Sequence, residues 1–290
     1  MSTTPPALPV RGAGYLRHFH RSHEDYAARL QQVGGKADVY ELLSFHFFNE
    51  MDQIEPFAKR LGKPIILHSY AYALGNPTRP ARGIRDRLQE LVRRGGAVAI
   101  SEHICVTGPP ETYCGTFLTP PGTDEQTAVL IENARLLKQE SSCPVVLENA
   151  VQFYNQIGPR SIGKQMREVC EAADVGVLLS LSNVSFSDPY HPMDKEAFLA
   201  ELPLERVQEV HYFLGHSEEQ RAPGLEGMVR EMVWQQKTLE ALARRPEFRP
   251  AVVVFELDAT TTLAEPEKLR DHMEMARDLF FRDAAGRGGK

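Results

Sequence analysis

A chain of 290 residues with a formal net charge of -6 is long for one small sandwich or bundle and comfortable for a single α/β barrel with a sizeable core. That charge offers no broad positive field to hold a phosphate backbone, and no apolar run approaches the ~20 residues of a membrane-spanning helix. The opening MSTTPPALPVRGAGY lacks the apolar centre of a signal peptide, so the expectation is a cytoplasmic protein with no nucleic-acid and no membrane partner.

In chain order, apolar runs of strand length alternate with segments of helical period, the pattern of βα units around a parallel sheet. The Pro- and Gly-rich opening segment has room for a first strand. DVYELL (38–43) then leads to a helix over 54–62, PIILHS (64–69) to one over 84–96, and AVAISEH (97–103) to one over 125–140. PVVLEN (144–149) precedes a helix over 162–174, and GVLLSLS (176–182) one over 193–202. VQEVHYF (207–213) precedes a helix over 228–245, and AVVVFELD (251–258) closes the series. The reading is a (β/α)8 TIM barrel forming one domain over 1–290, with flexible ends at 1–12 and 283–290.

Nearly every strand ends on a residue able to bind a metal: His68, His103, Glu148, Asn183, His211 and Glu256. The C-terminal strand ends of such a barrel open on one face, so these six converge from distant parts of the chain. A lone strand-end His is more often hydrogen-bonded structure than a ligand; six in register on different strands weigh the other way. Glu148 follows an apolar PVVL lead-in, which disfavours a freely exposed carboxylate. Imidazole and carboxylate together suit iron, manganese or zinc, and a carboxylate such as Glu148 is suited to bridging two ions. Glu256 and Asp258 share one strand face by alternation; an ion pair with an Arg is the plainer account of Asp258. Glu102 points opposite to His103 and either orients a helix or accepts from an imidazole N–H. His18, His20 and His23 read as an exposed segment, His46 as a lining of the mouth with Asn49 and Glu50, and His272 as solvated. Cys105, Cys114, Cys143 and Cys170 lack CxxC spacing and read as small hydrophobes. No phosphate loop, GxSxG elbow or HExxH helix is present.

These motifs together resemble the multinuclear non-haem iron-dependent oxidative enzymes, a TIM-barrel family related in shape to sugar isomerases (xylose-isomerase-like) and to endonuclease IV. The resemblance is carried by ILHS ending near His68, SEH (101–103), LEN (147–149), GVLLSLSNV (176–184), YHPMDKEAFLAELPLERVQEVH into LGHSEE, VW (233–234) and FELD (255–258). It implies iron held by His68, His103, Glu148, Asn183, His211 or His216, and Glu256, with Glu148 as bridge and Asn149 as its brace. It also implies dioxygen as oxidant, a peptide side chain or small amino-acid-like molecule as substrate, and a partner protein that binds the leader of the peptide.

The chain departs from the family pattern in three places. Ser180 stands where the family has an Asp, and Ser182 where it has the first of two Asn. Four residues separate His211 from His216 instead of three, which requires a bulge if both are to reach one site. The Asp-x-His-Gly motif is absent from SEEQRAPGLEGMV, with Glu218 or Glu219 as the available substitute. One or two iron ions are therefore expected rather than three, with manganese or zinc as alternatives. Two other functions remain open: a divalent-metal isomerase or hydrolase with Glu256 or Asp258 as base, and a degenerate, non-catalytic peptide-binding member.

Overall fold

In the computed structural model the described residues are 5, 7–18, 21–108, 118–187, 193–214, 226–257 and 265–282. Eight parallel strands close into a barrel in sequence order. They are β1 (Gly12–Arg17), β2 (Val39–Leu43), β3 (Ile65–Ser69), β4 (Ala99–Ile104), β5 (Val145–Asn149), β6 (Gly176–Ser180), β7 (Val207–Leu214) and β8 (Val252–Leu257). The opening segment does hold a strand, β1, which closes the ring against β8. Leu8, in the stretch expected to be flexible, is buried among the apolar side chains at the bottom of the barrel.

The helices are α1 (Arg21–Gln32), α2 (Ile54–Leu61), α3 (Arg82–Gly95), α4 (Asp124–Glu140), α5 (Ile162–Ala173), α6 (Leu181–Ser187), α7 (Lys195–Glu201), α8 (Glu226–Ala243) and α9 (Pro266–Ala276). Their ends follow local chemistry. Gly62 closes α2 and Gly96 closes α3 in the left-handed conformation, with φ of 60° and 62°. Thr123, Ser161 and Asp194 each accept a backbone N–H as the N-caps of α4, α5 and α7. Among the described residues, no helix is long and apolar enough to cross a membrane.

The inside of the barrel has an apolar floor and a polar upper layer. Leu16, Val39, Ile66, Ala99, Val146, Leu178, Val252 and Val254 form the floor. A strand repeats its facing every two residues, so the next inward positions are Glu41, His68, Ser101, Glu148, Ser180 and Glu256. Burying so many ionisable groups is costly unless they meet one another or a cation.

Three expectations are corrected. The strand read over 176–182 stops at Ser180, because the Ser180 Oγ accepts the Asn183 backbone N–H (3.1 Å) and caps a new helix; Asn183 therefore sits in the first turn of α6. His23, expected on the surface, is fully buried within α1, its ring 4.7 Å from that of His18, which in turn lies 5.2 Å from that of His46. His272, expected in solvent, packs on the rings of Tyr212 and Phe255 where α9 covers the sheet. The barrel does carry a register irregularity, but low on β7: Val177 and Leu178 face Val207 and Glu209, so Gln208 is the extra residue. That shift brings Ser180 level with His211.

Candidate metal centre

Five of the side chains read from the strand ends meet at the barrel mouth. His68 comes from β3, His103 from β4, Glu148 from β5, His211 from β7 and Glu256 from β8. The Nε2 atoms of His68 and His103 are 2.9 Å apart, and His68 Nε2 is 3.3 Å from Glu148 Oε2. His103 Nδ1 approaches the same Oε2 to 3.0 Å. On the other side, His211 Nδ1 lies 3.5 Å from Glu148 Oε1 and 3.5 Å from Glu256 Oε1. Glu148 thus turns one oxygen to the His68–His103 pair and the other to the His211–Glu256 pair.

Asn183 is drawn into this arrangement as a brace. Its Nδ2 donates to Glu148 Oε1 and to the Asn149 carbonyl, both at 2.8 Å. Both partners are acceptors, which orients the amide with its nitrogen, and not its oxygen, towards Glu148. Asn149 in turn spans β5 and β6: its Nδ2 donates to the Ser180 carbonyl (3.0 Å) and its Oδ1 accepts the Ser180 N–H (2.8 Å). Ser182 donates to Glu256 Oε2, and Ser180 Oγ lies 3.1 Å from Ser182 Oγ. Ser180 therefore acts as a helix cap and Ser182 as a holder of Glu256.

Sequence reasoning missed two carboxylates at the lower edge of this polar layer. Glu41 and Glu209, both fully buried, lie under His211: its Nε2 is 3.0 Å from Glu41 Oε2 and 3.8 Å from Glu209 Oε1. Ser101 donates to Glu41 Oε1 at 2.8 Å and also meets His68 Nδ1 at 2.8 Å. The available signal was a carboxylate at an inward position of the apolar runs VYELL and VQEVH, where burial demands a partner. Glu102 points the other way, as expected, and accepts the Tyr72 N–H (3.4 Å) behind the sheet. His46 lies beyond β2, against the rings of Phe45 and His18, while Asn49 and Glu50 are exposed. His216 and Asp258, with Glu218, Glu219, His20 and Cys114, lie outside the described residues.

The charges are set by one another. Burial by itself would raise the Glu148 carboxyl, but the imidazoles of His103, His211 and His68 outweigh it and hold the group far below the usual carboxylate range. Glu41 is lowered likewise, against burial, by His211 and His68. His211 is raised well above the ordinary imidazole value, because Glu41 and Glu256 overcome the opposing effect of burial. His103 is pushed down to about 4 by burial, which keeps it neutral and able to bind a metal. Burial, followed by the charge of Glu41, lifts Glu209 to about 7.

This donor set fits a metal. His68, His103 and Glu148 each offer a ligand atom within 4.8 Å of the others; Glu41, His68 and His211 meet the same distance, but Glu41 Oε1 already accepts from Ser101, which marks it as a partner of the imidazoles behind the first group. Metal–ligand bonds of ~2.0–2.1 Å place two donors of a tetrahedral ion roughly 3.3 Å apart, which matches the separations above. Glu148 Oε2 and His211 Nδ1 are enclosed yet make no hydrogen bond, the state of donors arranged around a cation.

Comparison with known proteins bears on the family and the fold. Residues 19–279 match the family model described as RiPP precursor modification enzyme MbnB/TglH/ChrH. A UPF0276 protein of Caulobacter vibrioides (strain NA1000 / CB15N) is 27% identical over 271 residues, covering 91% of this chain and 92% of its own. UPF0276 protein RB0508 of Rhizobium meliloti is 26% identical over 225 residues, covering 76% and 71%. Among solved structures, D-allulose 3-epimerase from Methylomonas sp. superposes with a TM-score of 0.54 at 14% identity, covering 91% of this chain and 89% of its own. The 3-keto-D-glucoside 4-epimerase YcjR of E. coli does so with 0.53 at 14%, covering 92% and 99%. At such identities the likeness shows the fold alone, a xylose-isomerase-like TIM barrel. The match over most of its length, with low identity to its relatives, shows that the chain belongs to the RiPP precursor modification enzyme family MbnB/TglH/ChrH as a divergent member.

Proposed function

We propose that the chain is a metal-dependent oxidative enzyme that holds non-haem iron at the barrel mouth and uses dioxygen to modify a peptide side chain or a small amino-acid-like molecule. Family membership supports a ribosomally made peptide as substrate; delivery in the cytoplasm by a partner that binds its leader is part of the proposal. The observation that carries the reading is the division of Glu148, with Oε2 facing His68 and His103, and Oε1 facing His211. Two donor sets joined by one carboxylate suit two adjacent cations. Ser180, a hydroxyl in place of an anion, favours one or two ions over three, with manganese or zinc as alternatives for the same donors. When bound, iron would supply electrons to dioxygen and a Lewis-acidic position for a donor atom of the substrate.

The chain's own groups bind and orient. His68, His103, Glu148, His211 and Glu256 are the ligands, with His216 as a further donor. Asn183 braces Glu148, and Ser182 occupies one oxygen of Glu256, leaving the other turned to His211. The Glu256 side chain is 26% exposed while the other carboxylates of the centre are enclosed, which supports it as the carboxylate that meets the substrate. Asp258, two residues further along the sequence, is proposed as its companion.

The test is elemental analysis of protein purified without oxygen and without chelator, followed by oxygen uptake with cysteine-containing peptides. Roughly one or two irons per chain and peptide-dependent uptake are expected. If zinc or manganese restores full turnover to iron-stripped protein without oxygen, the oxidative reading fails in favour of an isomerase or hydrolase with Glu256 or Asp258 as base. Absence of any bound metal would leave a non-catalytic peptide-binding role.

A further inference from the structure

We propose that Glu41 selects which ring nitrogen of His68 and of His211 faces the metal, and so acts as a positioning residue for both at once. The proposal rests on the metal centre argued above. Glu41 sits at an inward position in the middle of β2, fully buried, with Ser101, His68, His211 and Glu209 as the polar groups around it.

The assignment follows from counting protons. An ionised carboxylate only accepts, so the single hydroxyl proton of Ser101 goes to Glu41 Oε1, at 2.8 Å. Ser101 then has only lone pairs to offer His68 Nδ1, also at 2.8 Å, and Glu41 Oε1 itself lies 3.4 Å from that nitrogen. Both neighbours require Nδ1 of His68 to carry the hydrogen. The lone pair is left on Nε2, which lies 2.9 Å from His103 Nε2 and 3.3 Å from Glu148 Oε2, so in the metal-free protein it accepts the hydrogen of His103 Nε2.

The same carboxylate sets His211 the other way round. Its second oxygen approaches His211 Nε2 to 3.0 Å, closer than the 3.5 Å from Nδ1 to Glu148 and to Glu256, so Nε2 is the nitrogen that keeps its hydrogen when a metal displaces the other. His68 therefore ligates through Nε2 and His211 through Nδ1, because one acceptor stands between the two rings. A carboxylate behind a metal-bound imidazole fixes its tautomer and raises its basicity; here a single group does so for two ligands.

Glu41→Gln is the discriminating variant, since it keeps size and removes one acceptor. If its NH2 faces His211, Nε2 must become the acceptor and the proton moves to Nδ1. If its NH2 faces Ser101, the hydroxyl turns to His68 and the proton moves to Nε2. Either orientation spoils one ligand, whereas Glu41→Asp retains two acceptor oxygens.

The experiment is long-range 1H–15N NMR of the full chain labelled in its imidazoles, above the ordinary imidazole pKa, first metal-free and then with zinc as a diamagnetic probe. Signals are assigned with His68→Gln and His211→Gln. Metal-free wild-type protein is expected to show His68 protonated on Nδ1, and the zinc form to show metal on His68 Nε2 and His211 Nδ1. In Glu41→Gln one histidine takes the opposite tautomer and zinc affinity falls about 10–100-fold by chelator competition, while Glu41→Asp keeps the wild-type tautomers. His68 protonated on Nε2 in the metal-free protein would overturn the proposal, as would zinc on His68 Nδ1 and His211 Nε2, which would make Glu41 a ligand. Glu41→Gln with unchanged tautomers and an affinity within about threefold of wild type would also overturn it. Wild-type protein that takes up no metal refutes the metal centre, while the metal-free tautomer of His68 still decides the part played by Glu41.

Discussion

Glu148→Gln tests the centre at its pivot, because it keeps the shape of the side chain and removes only its charge. In the metal-free protein the carboxylate faces three imidazoles at 3.0–3.5 Å and is held ionised by them against burial. Removing one partner from a buried ion pair costs about 3–5 kcal/mol when the other stays charged. Here His211 keeps Glu41 at 3.0 Å and can release its proton, so the expected loss is nearer ~2 kcal/mol, the range of a hydrogen bond to a charged group. For a chain of this length that corresponds to a fall in Tm of about 3–4 °C. Metal binding suffers more. Loss of an outer partner of a ligand costs about 10–100-fold, so loss of the ligand that joins two donor sets should exceed about 100-fold. The assay is anaerobic Fe(II) titration with elemental analysis, alongside calorimetric melts of chelator-treated protein. A folded Glu148→Gln protein with wild-type metal content and affinity would refute both the ligand assignment and the reasoning about its charge.

Three further outcomes are expected. Glu102 is buried behind the sheet with its carboxyl lifted to about 8, so the folded state binds a proton that the unfolded state releases above about 4.5, and stability falls as pH rises between those values. Glu102→Gln should therefore be more stable than wild type near pH 8, by about 3 kcal/mol, with the gap closing towards pH 5; parallel melts that keep a constant offset would contradict this. Ser180→Asp keeps a residue able to cap α6 and adds an anion at the mouth, so it should bind a divalent ion about tenfold more tightly or hold one more per chain, read by titration and elemental analysis. Asn149→Ala removes two hydrogen bonds between β5 and Ser180 and should cost roughly 2–3 kcal/mol in urea unfolding; a change under about 0.5 kcal/mol would show that the brace is dispensable.

Much of the barrel was legible because its strands are short apolar runs separated by helices with recognisable caps. PVVLEN and AVVVFELD place their carboxylates at inward positions by alternation alone, and Glu148 and Glu256 do face the mouth. The turn at Ser180 was less legible: SLSN continues an apolar strand by composition, and only the capping bond from Asn183 to Ser180 ends it there. His272 was read as solvated because its helix is polar, yet one side of that helix lies against Tyr212 and Phe255.

The sequence by itself determined the strand count, the inward face of most strands and the residue types that meet at the mouth, since these depend on period and composition within each segment. Only the tertiary structure decided which atoms meet. The stagger between strands sets Glu41 opposite Ile66, and the extra residue at Gln208 sets His211 level with Ser180. That stagger places one carboxylate beneath two imidazoles from distant strands, and divides Glu148 between two donor sets. Alternation fixes a side chain's face but not its height relative to other strands, and the height determines which nitrogen meets which oxygen.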